Sequence, residues 1–349
     1  MRGALLVRSR TRGGAEITWI LTADEVAGLL DMPRAIAVTE AAFAEQGRGL
    51  VVLHGPYALG MMPDRPGETS GSLMSQRLRV VSGGLLGAGR VGLRAGPRVS
   101  APESGGTGTV LLLYDLSGAL LSVMGYPFST MRTGASVGVA VKHLSREDAH
   151  RVALLGTGAN ALSLLRAVDC VRSVTDVRVY SRREQNRLEF ARAGGEALGK
   201  TVEPVSEPEA AVEGADIVLV ATNAREPVFS ADWLEEGMHV SSMGLITELD
   251  PAAMVKADLF AVGSRAQELQ HHYDPAPPFP IEDLVEAGRL AWEDVVDLGD
   301  IVTGKRPGRR GPGDITVFHE SEGGYGDVAL GAAAFDEARR RGLGTWVPL

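Results

Sequence analysis

The apolar run Val152-Ala153-Leu154-Leu155 leads straight into Gly156-Thr157-Gly158-Ala159-Asn160-Ala161, and a helix-compatible segment, Leu162 to Val171, follows. Gly-x-Gly-x-x-Ala, in the order strand, turn, helix, is what the binding of a dinucleotide requires. Gly156 permits the tight turn, Gly158 lets the backbone approach a pyrophosphate, and the small Ala161 lets helix and strand pack closely. The helix N-terminus then faces the phosphate charge. In a chain with 44 glycines such a match has little weight alone. Two further features strengthen it.

The first is the next strand. Asp176-Val177-Arg178-Val179-Tyr180 ends in Ser181-Arg182-Arg183, twenty residues after Ala161. An Asp or Glu here would bind the ribose 2′-hydroxyl of NAD. A hydroxyl and two guanidiniums suit a 2′-phosphate instead, so the sequence predicts NADP(H) in preference to NAD(H). The second feature is recurrence. Thr201–Val205, Ala215–Ala221, His239–Met243 and Leu259–Val262 all read as strands separated by helical segments, an α/β alternation. Thr222 and Asn223 follow one of these strands, where a Rossmann crevice meets nicotinamide and ribose, and Met243 and Gly244 close the next.

The chain has 349 residues, which suits two domains. Its 44% hydrophobic and 23% charged content is that of a soluble globular protein. A net charge of -9 argues against nucleic-acid binding. No apolar run approaches the roughly 20 residues of a membrane span. The first 15 residues lack a signal peptide's apolar core and read as a loose extension, so the expected location is the cytoplasm. The lone Cys170 is expected in the core. No His/Cys spacing or carboxylate cluster suggests a metal site.

Thr22 starts a short helix and Asp31-Met32-Pro33 a second, running to about Gln46. Residues 47–128 read as antiparallel strands with loops, including a hairpin of Thr109–Asp115 with Ala119–Met124. Thr130 to Leu144 reads as a helix rich in small residues, able to pack closely on its neighbours. Asp274–Pro280 reads as an extended connector, and Lys305 to Gly313 as a basic Gly/Pro loop, either solvated or a subunit or cofactor contact. Asp314–Phe318 reads as a strand, and Asp327 to Arg341 as a closing helix with Asp327 as its cap.

Several strings together resemble the ornithine cyclodeaminase/mu-crystallin family. They are Met131-Arg132-Thr133-Gly134-Ala135, Leu154-Leu155-Gly156-Thr157-Gly158, Ala221-Thr222-Asn223, His239-Val240-Ser241-Ser242-Met243-Gly244 and Glu248-Leu249-Asp250. Gly304-Lys305-Arg306-Pro307-Gly308-Arg309 and Asp314-Ile315-Thr316-Val317-Phe318 follow. They keep the family's order over about residues 20 to 345. The resemblance implies an α/β fold: a Rossmann domain over 130–314, and a second α+β substrate-binding and dimerisation domain built from both chain ends, 16–129 with 315–349. Residues 1–15 form the extension. It also implies a homodimer and a small-molecule substrate bearing a carboxylate.

Carried over position by position, Arg132 matches the arginine that grips the substrate carboxylate, a task suited to a fixed fork of donors. Arg94 stands where the family has a lysine; it keeps the charge but does not titrate near neutrality. The family's first-domain Pro-Arg pair falls near Pro56-Tyr57, so Tyr57 is a candidate hydrogen-bond donor. His54 nearby is a candidate proton donor because its ordinary pKa lies near neutrality. Cyclodeaminases carry an aspartate where this chain has Leu245, while Glu248 and Asp250 match positions with structural roles. Losing that base disfavours ring closure. The expectation is an NADP(H)-dependent oxidoreductase of the imine-reductase or amino-acid-dehydrogenase type, acting on a carbon–nitrogen bond beside a carboxylate. Two alternatives stay open: a cyclodeaminase that recycles NAD, and a binding protein for NADPH and a small ligand without turnover.

Overall fold

A computed structural model describes residues 17–60, 77–98, 108–224, 226–244, 246–269, 280–321 and 323–348. The chain divides into two compact units. The first comprises residues up to Asp31, Leu50–Phe128 and Gly323–Leu349; the second comprises Met32–Gly49 and Ser129–Glu322.

The first unit is built on seven strands in the order β15-β1-β6-β5-β4-β3-β2. They are β1 (Ile17–Leu21), β2 (Val51–Gly60), β3 (Arg77–Leu85), β4 (Arg90–Arg98), β5 (Val110–Asp115), β6 (Leu120–Gly125) and β15 (Thr345–Pro348). Every neighbouring pair is antiparallel except β1 with β6. The β5–β6 hairpin forms as the sequence predicts. Asp115 accepts hydrogen bonds from the Ser117 and Ala119 backbones and from the Ser117 hydroxyl, and Gly118 takes φ +91° to close the turn. The helix Gly324–Arg341 buries Tyr325, Val328, Leu330 and Phe335 in this unit. A Cβ on Gly331 would lie 1.9 Å from Leu111 Cδ2, so the helix approaches the sheet only because that position is glycine.

The second unit holds eight parallel strands in the order β13-β12-β14-β11-β10-β7-β8-β9. They are β7 (Arg151–Leu155), β8 (Asp176–Tyr180), β9 (Val202–Val205), β10 (Ile217–Val220), β11 (His239–Ser242), β12 (Leu259–Val262), β13 (Val295–Asp297) and β14 (Thr316–His319). β10, β11 and β14 are buried at every residue, as strands covered on both faces are, and β10 is apolar throughout. The small-residue helix, Ser129–Leu144, packs tightly against the helix Ala161–Val171. A Cβ on Gly134 would sit 2.4 Å from Ser163 Oγ, and that hydroxyl donates to Thr130 O at 2.7 Å.

Four expectations are corrected here. β14 lies between β11 and β12, so residues 315–322 belong to the nucleotide-type sheet and not to the first unit; the helix Met32–Gly47 joins them there. Asp327 does not cap its helix. It lies one turn inside, fully buried, and ion-pairs with Arg94. Cys170 is exposed because it falls on the outer face of its amphipathic helix. The basic loop is not simply solvated. Arg309 is half-buried and donates to the carbonyls of Leu144, Met238 and Asp314, which stitches the loop to β11 and β14. The 1–15 extension and most of the Asp274–Pro280 connector lie outside the described residues.

His239 is wholly buried at the start of β11. One ring nitrogen lies 2.8 Å from Thr316 Oγ and the other 2.8 Å from Ser241 Oγ. Burial first, then the Arg309 and Arg172 charges, push its pKa down to about 3. The folded ring therefore stays neutral where the unfolded chain takes up a proton. This contribution is complete above the ordinary value of 6.5 and fades as pH falls towards 3, at about 1.4 kcal/mol per pH unit. Between pH 7 and pH 5 the wild type is expected to lose about 2 kcal/mol more stability than a His239→Gln variant, as read by denaturant unfolding. Equal losses would contradict this.

Candidate active site

The nucleotide-type turn forms where the sequence predicts it. β7 delivers Gly156 with φ +111°, a conformation that disfavours a side chain, and a Cβ there would stand 2.3 Å from Ala221 O. A Cβ on Gly158, by contrast, would meet nothing within 4 Å, so the backbone is open to a ligand on that side. The helix starts at the fully buried Ala161, and its cap residue, Asn160, makes no side-chain capping bond to the first-turn N–H groups. Thr157 and Ala159 complete the turn. These features fit a pyrophosphate. Ser181, Arg182 and Arg183 follow β8, with both arginines exposed beside the turn that opens the helix Glu184–Leu198.

The ends of β10 and β11 are tied together by one carboxylate. Glu248 Oε2 accepts from the Thr222 N–H at 2.7 Å and the Thr222 hydroxyl at 2.8 Å. Its Oε1 accepts from the Ser242 hydroxyl at 2.7 Å and the Gly244 N–H at 2.9 Å. Burial pushes the Glu248 carboxyl above its ordinary range, and the four donors pull it back. Glu248 thus fixes Thr222 and Gly244, and with them Asn223 and Met243, at the C-terminal edge of the sheet. A Cβ on Gly244 would lie 2.2 Å from Thr222 O, so the two strand ends touch through backbone. Met243 also meets Asn160 from the nucleotide turn, with Nδ2 3.8 Å from Sδ. In open parallel sheets this edge is where ligands bind.

Arg132, in the first turn of the helix Ser129–Leu144, pairs with Glu320 just past β14; Nη1 and Oε1 are 2.8 Å apart. In the other unit Arg94 donates from Nε to Asp327 Oδ2 at 2.9 Å, and the Tyr126 hydroxyl donates to Asp327 Oδ1 at 2.8 Å. The Arg94 guanidinium also lies 5.8 Å from the Tyr126 ring centroid. His54 and Tyr57 stand exposed on the edge strand β2, either side of an irregularity in its pairing with β3; Tyr57 is 69% exposed. Among the described residues no group of three or more His, Cys, Asp or Glu is arranged for a metal ion. No helix among them is long and apolar enough to cross a membrane.

A family model, the ornithine cyclodeaminase/mu-crystallin family, matches residues 17–340. The chain belongs to that family. It is 33% identical over 242 residues to a Δ1-pyrroline-2-carboxylate reductase of Bacillus cereus, covering 68% of this chain and 73% of that protein. Among solved structures it resembles Thermococcus litoralis Δ1-pyrroline-2-carboxylate reductase, solved with NADH and L-proline. The TM-score there is 0.81 at 27% identity, covering 94% of this chain and 99% of the other. An archaeal alanine dehydrogenase dimer with bound NAD gives a TM-score of 0.79 at 26% identity, covering 95% and 99%.

Set within the ornithine cyclodeaminase/mu-crystallin family, several polar positions gain meaning. Leu245, at the cyclodeaminase acid position, lies outside the described residues. Glu248 is the carboxylate tie described above, and Asp250 caps the helix Pro251–Lys256 by accepting from the Ala252 N–H at 2.9 Å. Sequence reasoning missed Glu320, His319 and Glu268. His319 and Glu320 directly follow a buried strand, which is the place an α/β sheet presents ligand-facing groups. That signal was available. Glu268 lies 51 residues away from His319 and carried none.

Proposed function

We propose that the protein is an NADP(H)-dependent imine reductase acting on a C=N bond next to a carboxylate. The observation that carries this reading is one unit that combines a dinucleotide turn with a guanidinium, Arg132, held by Glu320 at 2.8 Å on the helix before that turn. The reductase names of the relatives support the same reaction class.

In this reading Gly156, Thr157, Gly158, Ala159, Asn160 and Ala161 hold the pyrophosphate, and Thr222, Asn223, Met243 and Gly244 border the nicotinamide and its ribose. Arg132 takes the substrate carboxylate, with Glu320 fixing the plane of the guanidinium. Arg94 carries the charge that its position has elsewhere in the family, with Asp327 and Tyr126 holding it in place. Tyr57 and His54 are secondary candidates as donors to the substrate. A bound reduced nicotinamide supplies a hydride for the imine carbon. The chain's own task is to orient that carbon and to deliver a proton to nitrogen. We take the assembly to be a homodimer, the state in which the archaeal relative was solved.

The test is oxidation of NADPH, followed by absorbance, with preformed cyclic imines and with 2-oxo acids plus ammonia or methylamine. Imine-dependent turnover supports the reading. Tight NADPH binding with no turnover across the panel contradicts it. NADH is run in parallel, because the two solved relatives carry NADH and NAD. Ser181, Arg182 and Arg183 predict an NADPH preference that a double Arg182→Ala, Arg183→Ala variant loses. Charge-assisted bonds to a phosphate are worth about 1.5–3 kcal/mol, so its NADPH affinity should fall at least about tenfold while NADH affinity holds. A wild type that prefers NADH overturns the NADP assignment and leaves the reaction class standing.

A further inference from the structure

Two buried histidines lie on adjacent strands of the parallel sheet, and they are treated oppositely. His239, at the N-terminal end of β11, has a hydroxyl on each ring nitrogen and is kept neutral. His319, at the C-terminal end of β14, has a carboxylate on one side only. Its Nδ1 is 2.7 Å from Glu268 Oε1, with the two side chains 9% and 7% exposed. Its Nε2 is buried and has no hydrogen-bond partner among the described residues. Leaving a buried polar atom unpaired costs about 1–3 kcal/mol, so a purely structural histidine would be better served by the His239 arrangement.

The position is equally pointed. His319 is in register with Ser242, whose hydroxyl donates to Glu248, and with Val262. The next residue, Glu320, donates its N–H to Ser242 O and holds Arg132. The pair therefore belongs to the same sheet edge as Gly244 and the arginine proposed for the carboxylate. The charged groups around it are Glu268 from the helix Arg265–Glu268, Glu320 in its own run and Glu248 after β11. Beyond them stand Arg132 paired to Glu320, and Asp297 with Arg265 beside Glu268. Burial works against a charge on the ring; Glu268 first, then Glu320 and Glu248, outweigh it and raise the pKa.

We propose that His319, held by Glu268 through Nδ1, is the group that gives a proton from Nε2 to the substrate nitrogen; this rests on the imine-reductase reading. The step balances. The imine nitrogen takes the Nε2 proton, and hydride from reduced nicotinamide adds to carbon. The π pair of the C=N bond remains on nitrogen. The products are the amine, oxidised nicotinamide and neutral imidazole, which regains its proton from water. Glu268 is a positioning residue that fixes the ring tautomer and holds the proton on the ring.

The test uses the intact protein and has two independent readouts. The first is an NMR titration of the histidine rings without nucleotide. One ring is expected to titrate above the ordinary range, to be missing in His319→Gln, and to move down in Glu268→Gln. The second is kinetics with saturating NADPH and Δ1-pyrroline-2-carboxylate. His319→Gln should lower kcat about 100-fold, the usual worth of a positioned acid, with unchanged NADPH affinity. The alkaline limb of the kcat–pH profile should disappear in that variant and shift to lower pH in Glu268→Gln. If the wild type turns over and His319→Gln keeps both kcat and the limb, the proposal is overturned. It is also overturned if His319 titrates in the ordinary range regardless of Glu268. A wild type that reduces no imine overturns the functional reading itself, and this proposal falls with it.

Discussion

Replacing Arg132 with alanine is expected to raise KM for a carboxylate-bearing imine by about 10- to 150-fold, because one charge-assisted contact to a carboxylate is worth about 1.5–3 kcal/mol. NADPH affinity should hold, since the nucleotide turn starts on another element. Glu320 complicates the alanine variant. Its side chain is only 6% exposed, and without Arg132 that buried carboxylate loses the cation 2.8 Å from it. Removing one partner of a buried pair costs about 3–5 kcal/mol, so the alanine protein should also unfold more readily. Arg132→Lys separates the two effects. It keeps the charge beside Glu320 but loses the planar fork, so stability should recover while KM stays raised. Steady-state kinetics and denaturant melts on both variants check this. Unchanged KM in both removes Arg132 from substrate binding and leaves the Glu320 pair as a structural contact.

Glu248→Gln is expected to cost about 3–5 kcal/mol of stability and to weaken NADPH binding at the same time. Four donors converge on the two oxygens: the Thr222 and Gly244 N–H groups and the Thr222 and Ser242 hydroxyls. The side-chain amide offers one oxygen and one NH2. On the NH2 side the backbone N–H groups cannot turn away as hydroxyls can, so at least one is left facing another donor. Each buried polar group left unsatisfied costs about 1–3 kcal/mol. Loss of nucleotide affinity follows because Thr222 and Gly244, which the carboxylate fixes, border the proposed nicotinamide site. Urea unfolding and an NADPH fluorescence titration read the two effects. A variant with wild-type stability and affinity would mean that the strand ends are held by the sheet alone.

How much of this was legible follows the range of the interactions. The strand Val152–Leu155, its turn and the helix after it are written in adjacent residues, and Gly156 and Ala161 do there what the spacing predicts. The capping box of Thr22 with Glu25 and the Asp115 turn are local too. Asp327 was misread because its sequence neighbours offer a helix cap, while its partner, Arg94, is 233 residues distant. β14 was assigned to the wrong unit for a related reason. The chain leaves the second unit only after Glu322, and the buried run Thr316–His319 is the same whichever sheet receives it. Cys170 is exposed because helix phase, not residue type, decides which face of Ala161–Val171 is buried. Arg132 was found through a motif, but Glu320 opposite it, and the pairing of His319 with Glu268, depend on which strand ends become neighbours. That is decided by sheet order, with β14 inserted between β11 and β12.

The proposed reaction places a hydride on the carbon of an imine beside a carboxylate. Its most direct test is single-turnover reaction of the enzyme with Δ1-pyrroline-2-carboxylate and NADPH carrying deuterium at the nicotinamide C4, with mass spectrometry of the amino-acid product. The expected product is proline with deuterium at the α-carbon, formed stoichiometrically with NADP. Unlabelled proline would contradict it, as would an enzyme that binds NADPH and reduces no imine of the panel.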